Sequence, residues 1–442
     1  MPDQIIPLGE AWASSSVNCV AFRHDAIVPV TDGCVVSFYD ADGNVVLQHL
    51  DRALVPQRRL TIACPIVPHD AHNCISLGVD SSGAVHAVFG AHSSIAYHVR
   101  VSPLLDGAAP EAVPLDGRPQ MRFTYPTLLH DPGSGELRLL YREGGPWAGE
   151  LRVKRWNDEA AAFIEDELPL LSGRLGQPTA GPYINRPVRL PDGRIALFCV
   201  WRLARDATTA GDVANTGLDL IVAAPDLRSL ASLDGVGLTL PVTPVHAPRT
   251  WAVPVGANLI NQGAAACGVD GNPMALTYWN DAAGVPQYHL LWLEGGAWRA
   301  AAVSEFVTRF SLQGLGTLPL PHSRPALLVR RDGVALCIFR SAEHGNRLML
   351  TLIDQPYGDP GRRRTMVLLD EDLGFYEPMV DHAAFTRDGS LVMYVQACAQ
   401  DHGDRGDSGD WREGVAARLI KFFGHQVNGW KVNNKLGSKK RK

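Results

Sequence analysis

The sequence predicts an all-β protein, a seven-bladed β-propeller of four-stranded antiparallel blades, forming one domain over residues 1–424 with a basic tail at 425–442 expected to be disordered. Three observations predict it. Amphipathic helical periodicity is almost absent, so strands rather than helix faces must bury the apolar residues. Short β-branched and aromatic runs recur around seven Gly-containing turns: Asp32-Gly33, Ser82-Gly83, Ser134-Gly135, Asp192-Gly193, Asp270-Gly271, Asp332-Gly333 and Asp388-Gly389. Successive turns lie 50, 52, 58, 78, 62 and 56 residues apart, the repeat of a four-stranded blade with loops of unequal length. A β-sandwich would normally stop short of so many equivalent hairpins. Length alone, 442 residues, would suggest about three ordinary domains, but no linker-like composition shift divides the chain.

Each turn is followed by a strand of similar character. In order these are CVVSFYD, AVHAVFG, ELRLLYR, RIALFCVWR, NPMALTYW, VALCIFR and SLVMYVQ. Glycine at the turn supplies the positive φ that tight hairpins demand. The long fourth interval contains PVTPVHAPRTWAVPVGA, Pro241 to Ala257, too rich in proline for central strands and expected to be an extended loop. The charged, Gly-rich insertion from Ala399 to Gly414 reads as a surface loop, and its Arg405 to Asp407 triplet as chance rather than an adhesion motif. The terminal KLGSKKRK, Lys435 to Lys442, reads as a frayed, solvated end.

Composition excludes several classes. The formal net charge is −5, so neither a nucleic-acid nor an anionic-membrane surface is indicated. No apolar run approaches the ~20 residues of a membrane span. The eight cysteines are scattered, mostly in apolar strand-like runs without metal-ligand spacing, and are expected to be buried free thiols. The start MPDQIIPLGEAWASSS has no basic region followed by an apolar core, hence no signal peptide in the given chain. A mature secreted or periplasmic form would look the same, and the alternative is the cytoplasm.

The segment HDAHNCISLGVDSSGAVHAVFGAH, His69 to His92, carries the chemistry. It reads as a hairpin of Cys74 to Val79 and Ala84 to Phe89 about a turn at Ser81 to Gly83, with His72 and His92 just outside the two strands. In an antiparallel pair those outer ends lie together, so the two imidazoles converge on one ligand. Imidazoles can donate, accept or shuttle a proton near neutral pH. The third blade, by the same hairpin logic, brings Tyr125 near Arg142. Later blades contribute Tyr183, Asn185, Arg202, Asn261, Gln262, Tyr288, His289, Arg324 and Arg340. Repeated Arg, Tyr, His and Asn at equivalent blade positions would build an aromatic, cationic bowl suited to an anionic carbohydrate. His86, in mid-strand, is expected to be structural, and Tyr141 to pack between blades. His98, His130, His246 and His425 are expected on the surface or in loops. Trp147, in the loop GGPWAG, is a candidate sugar platform.

VNCVAFR, HDAHNCISLGVDSSGAVHAVFGAH, TYPTL with GELRLLYREGG, LINQ, YWNDAAGVPQYHLLW and FSLQGLGT with SRP resemble BNR-repeat-containing proteins over roughly Val17 to Gln400. That group includes seven-bladed propeller polysaccharide lyases acting on rhamnose–glucuronate linkages, of the ulvan lyase and L-rhamnose-α-1,4-D-glucuronate lyase types. The resemblance implies β-elimination. Arg142, helped by His72, would neutralise the charge that builds on the uronate carboxylate. His92 would be the base and Tyr125 the acid, or one of them would serve in both roles. Arg202, Asn261, Asn73, Tyr183 and, more loosely, Tyr288 would hold the sugars. No cofactor is required. Many relatives carry an Asn-His-Asp-Leu-type segment associated with structural zinc. The corresponding Asn215-Thr216-Gly217-Leu218-Asp219-Leu220 has no histidine, so no metal is expected there, and neither structural zinc nor calcium is supported by the sequence. Two other functions fit the same bowl: an α-L-rhamnosidase-type hydrolase acting on rhamnosyl-glucuronate, and a non-catalytic carbohydrate-binding propeller.

Overall fold

The computed structural model describes residues 1–101, 110–115, 120–204, 214–312, 316–400 and 414–431. Among these the strands form seven antiparallel sheets arranged as a β-propeller. Five sheets have four strands; the third has six and the fourth has seven. The four-stranded plan is thus the rule, and the third and fourth sheets add short strands to it. The third sheet is widened by His92–Ser94 on its inner edge and Leu171–Ser172 on its outer part. In the fourth, the Pro-rich insertion is not all loop: Arg249–Ala252 pairs with Asn215–Ala223.

Packing closes the ring. Each pair of neighbouring sheets shares an apolar cluster, because a blade buries both of its faces. Phe38, Leu336, Leu391 and their neighbours join the sixth, seventh and first sheets in one such cluster. The remaining clusters join the first sheet to the second and so on through the sixth. The N-terminal strand Gln4–Ala11 is the outermost strand of the last sheet, registered on Val415–Phe422, so the two ends of the described chain are stitched together by backbone hydrogen bonds. Gly424–Gly429 is a short helix, and the carbonyls of its Val427 and of the following Trp430 accept from Arg330. Residues 432–442, with the basic KLGSKKRK, and most of the Ala399 to Gly414 insertion lie outside the described residues.

The turns explain the repeat. At the second sheet, Asp80 Oδ1 accepts from the backbone N–H of Ser82 and Ala84, and Gly83 supplies φ +83°. Asp131, Asp192, Asp270 and Asp332 likewise accept the backbone N–H two residues on, whereas Gly389, expected in a seventh hairpin turn, is the C-cap of a short helix, His382–Asp388. These turns face one end of an axial cavity of about 1400 Å³, lined by the turn-proximal halves of the innermost strands. The starts of those strands, where His72 and Tyr125 lie, face the opposite end. Six of the eight cysteines are buried, Cys64 and Cys267 are half-buried, and all are free. No described helix is long and apolar enough to cross a membrane.

Candidate active site

His72 is set by a single turn of 3-10 helix, Ala71–Asn73, which Asp70 caps by accepting the His72 backbone N–H at 2.8 Å. His92 arrives by another route. After Val85–Phe89 the chain leaves the second sheet, and His92–Ser94 pairs with Phe123 and Thr124 of the third. The two imidazoles then lie parallel, centroids 3.8 Å apart at 9°, and share one carboxylate. Nδ1 of His72 lies 2.8 Å from Asp70 Oδ1, and Nδ1 of His92 pairs with Oδ2. Burial alone would raise the Asp70 pKa, but the two imidazoles outweigh it and hold the carboxyl well below the usual range. Phe22 stacks on His72 at 4.9 Å, and the Thr317 hydroxyl lies 3.4 Å from its Nδ1.

Tyr125 occupies a bulge between Thr124 and Thr127 in the strand Phe123–His130, with φ +56°. A tyrosine at positive φ is strained, and the bulge turns its ring toward the histidines: it lies 5.5 Å from His72 and 5.1 Å from Phe22. Thr124 is registered on Arg142, and the Arg142 guanidinium sits 4.8 Å from the ring centroids of both Tyr125 and Tyr183. Arg142 is 3% exposed, and its Nε and Nη1 have no hydrogen-bond partner. A buried guanidinium with two orphaned N–H groups is an anion site in waiting.

The two phenols differ electrically. Burial and then the nearby Tyr183 push Tyr125 well above its ordinary pKa, against the pull of Arg142. Burial also opposes ionisation of Tyr183, but Arg142 and Arg202 outweigh it and lower its pKa. Arg202 lies 5.5 Å over the Trp147 ring, and its buried Nε has no partner. The loop tryptophan is thus 39% exposed at the rim beside a second guanidinium. Across Phe22 stands Arg324, 5.7 Å from that ring and paired with Glu377 at 3.2 Å.

His72, His92, Tyr125, Arg142, Tyr183 and Arg202 therefore come together. Asn73 adjoins them, its carbonyl accepting from the Tyr39 hydroxyl at 2.6 Å. Asn261 is connected only through its carbonyl, which accepts from Arg324 Nε at 3.4 Å. Tyr288 does not reach the site. It lies on the third strand of the fifth sheet, fully buried among Tyr278, Phe306 and Phe339, with its hydroxyl bound to the Ser323 carbonyl. Its place next to polar residues in the sequence concealed an inward-facing position. Asp70 and Phe22 were missed; the Asp-x-His spacing of HDAHN was the available signal for the first. His98, expected on the surface, is buried against His86.

Asp70, His72 and His92 each bring a ligand-type atom within 4.8 Å of the others, the one such grouping among the described residues. Each imidazole Nδ1 in it already lies at hydrogen-bond contact with a carboxylate oxygen, which accounts for the grouping without a metal. Asp219, in the segment compared with a zinc site, is instead buried against Arg249.

The fold and this site define a β-propeller that gathers cationic, aromatic and imidazole side chains at the end of its sheets opposite the turns. A family model described as BNR repeat-containing family member matches residues 35–306. The chain belongs to the BNR repeat-containing family. None of the curated proteins matches it. Among solved structures it is similar to the polysaccharide lyase Uly1, with 13% identity over 95% of this chain and 99% of that one at a TM-score of 0.63. It is also similar to a PL25 ulvan lyase, with 12% identity over 94% and 95% at a TM-score of 0.67. That ulvan lyase has also been solved bound to -[GlcA(1-4)Rha3S]-.

Proposed function

We propose that this protein is a polysaccharide lyase that cleaves a rhamnose–glucuronate glycan by β-elimination, on a propeller whose seven sheets are its seven blades. The observation that carries the reading is Arg142: a buried cation with unpartnered Nε and Nη1, between two phenols and beside two carboxylate-held imidazoles. The C5 proton of a uronate lies next to a carboxylate, so removing it builds charge on that carboxylate. Arg142, with His72, neutralises this charge in a water-poor site, where such stabilisation is strongest. His92 takes the C5 proton. The C5 electron pair forms the C4–C5 double bond, the C4–O4 bond breaks, and Tyr125 protonates the departing O4. A phenol whose pKa is raised keeps its proton at neutral pH, as an acid must. Tyr183 and Arg202 position the sugars, with Asn73 and Asn261 at the border, and Trp147 offers a stacking face. The partner is an anionic polysaccharide or oligosaccharide, and no step needs a cofactor.

A hydrolase would need two carboxyl groups flanking the scissile bond. The carboxylates bordering this site, Asp70 and Glu377, are committed to the imidazoles and to Arg324. The test is incubation with ulvan and with gum arabic, following the ultraviolet absorbance of the conjugated double bond. Wild type is expected to generate it, and His92→Ala to be slower by about a hundred- to ten-thousand-fold. Release of rhamnose without that absorbance would replace the lyase by the rhamnosidase-type reading. Binding without any cleavage would leave a carbohydrate-binding propeller.

A further inference from the structure

We propose that Asp70 is the positioning residue of the site, a single carboxylate that fixes the orientation and the tautomer of both imidazoles at once. The inference rests on the lyase reading for its kinetic consequence, but its geometric content stands alone. Asp70 is ionised and can only accept hydrogen bonds. It presents Oδ1 to Nδ1 of His72 and Oδ2 to Nδ1 of His92, so both rings carry their proton on Nδ1. That leaves the basic lone pair of a neutral imidazole on Nε2. The shared anchor also explains why two rings from different sheets lie parallel at 3.8 Å: adjacent oxygens of one carboxylate hold them side by side. On the lyase reading, His92 accepts the C5 proton at that Nε2, while the same carboxylate holds the His72 ring beside it.

Asp70 also caps the turn that carries His72, so the substitution must keep an acceptor there. Asn does so: its Oδ1 retains the cap and serves His72, while its amide N–H₂ faces Nδ1 of His92 as a donor. Asp70→Asn should therefore flip His92 to the Nε2–H tautomer and leave His72 unchanged. In ¹⁵N-histidine-labelled protein, with the two rings assigned through His72→Gln and His92→Gln, wild type should show both rings as Nδ1–H and the variant only one. Turnover should fall by about a hundredfold or more with KM within about threefold, at an unchanged melting temperature. Both rings remaining Nδ1–H in Asp70→Asn, or turnover within threefold of wild type, would overturn the proposal. If wild type yields no unsaturated uronate while the His92 tautomer still switches, the lyase reading fails and the carboxylate clamp stands.

Discussion

Two Asp–His–His groups lie toward opposite ends of the second-sheet hairpin, the one at the strand starts completed by His92 from the third sheet, and they are built in opposite ways. At the turn end, Asp80 Oδ2 accepts from His86 Nε2 at 3.0 Å, and His86 Nδ1 pairs with His98 Nε2 at 3.0 Å. The three groups form a line. Arg100 caps the Asp80 carboxylate at 2.9 Å, and Trp156 and Phe163 wall the rings in. Each proton in that line has a fixed owner, and His86 is wholly buried. At the mouth end, Asp70 holds its two histidines side by side, with His92 a quarter exposed and Tyr125 and Arg142 beyond. The same three residue types make a buried line in one place and a parallel, partly exposed pair in the other. What differs is whether the second histidine bonds to the first or to the carboxylate.

That contrast can be broken most forcefully at Arg142, which only the mouth possesses. Arg142→Met is expected to slow elimination by about a thousandfold, or ~4 kcal/mol of transition-state stabilisation. It should leave the melting temperature little changed, because the ring contacts of a buried cation are exchanged for the packing of an apolar side chain of similar length. A melting temperature lowered by many degrees would show instead that Arg142 holds the blades together. The reciprocal test is His86→Ala. Stability in urea should fall by about 2–4 kcal/mol through a cavity and an orphaned carboxylate, with turnover of the folded fraction within twofold of wild type. A loss of turnover like that of His92→Ala would erase the distinction between the two ends.

The comparison sharpens further through pH. Burial, then His86 and Arg100, pull the His98 pKa down to about 3, against about 6.5 in an unfolded chain. Between those values the unfolded chain binds a proton that the folded one does not, so stability falls as pH drops from about 6.5 toward 3, by at most ~1.4 kcal/mol per pH unit. His98→Gln removes this contribution and should flatten the acid side of the melting-temperature profile. Identical slopes would mean that His98 takes up its proton within the buried line.

The site was partly legible before folding. Regular pairing about Ser134-Gly135 puts Tyr125 opposite Arg142, so their approach could be read from strand and turn positions, although the bulge between Thr124 and Thr127 moves Thr124 onto Arg142. His72 and His92 were placed correctly at one end of their hairpin, although His92 gets there by joining the third sheet. Tyr288 was misplaced because strand alternation does not say which face of a blade meets the next blade. His98 was misplaced for the same reason.

The all-β repeat is legible in the chain alone: Gly-containing turns, five Asp–Gly and two Ser–Gly, and the apolar strand runs beside them are local preferences. Which polar groups are held and which are left open is settled only when the sheets come together. Asp70 meets His92 across 22 positions, and Arg142 meets Tyr183 from the next sheet. Whether a buried charge is satisfied depends on every atom around it, and those atoms are gathered by ring closure rather than by neighbourhood along the chain.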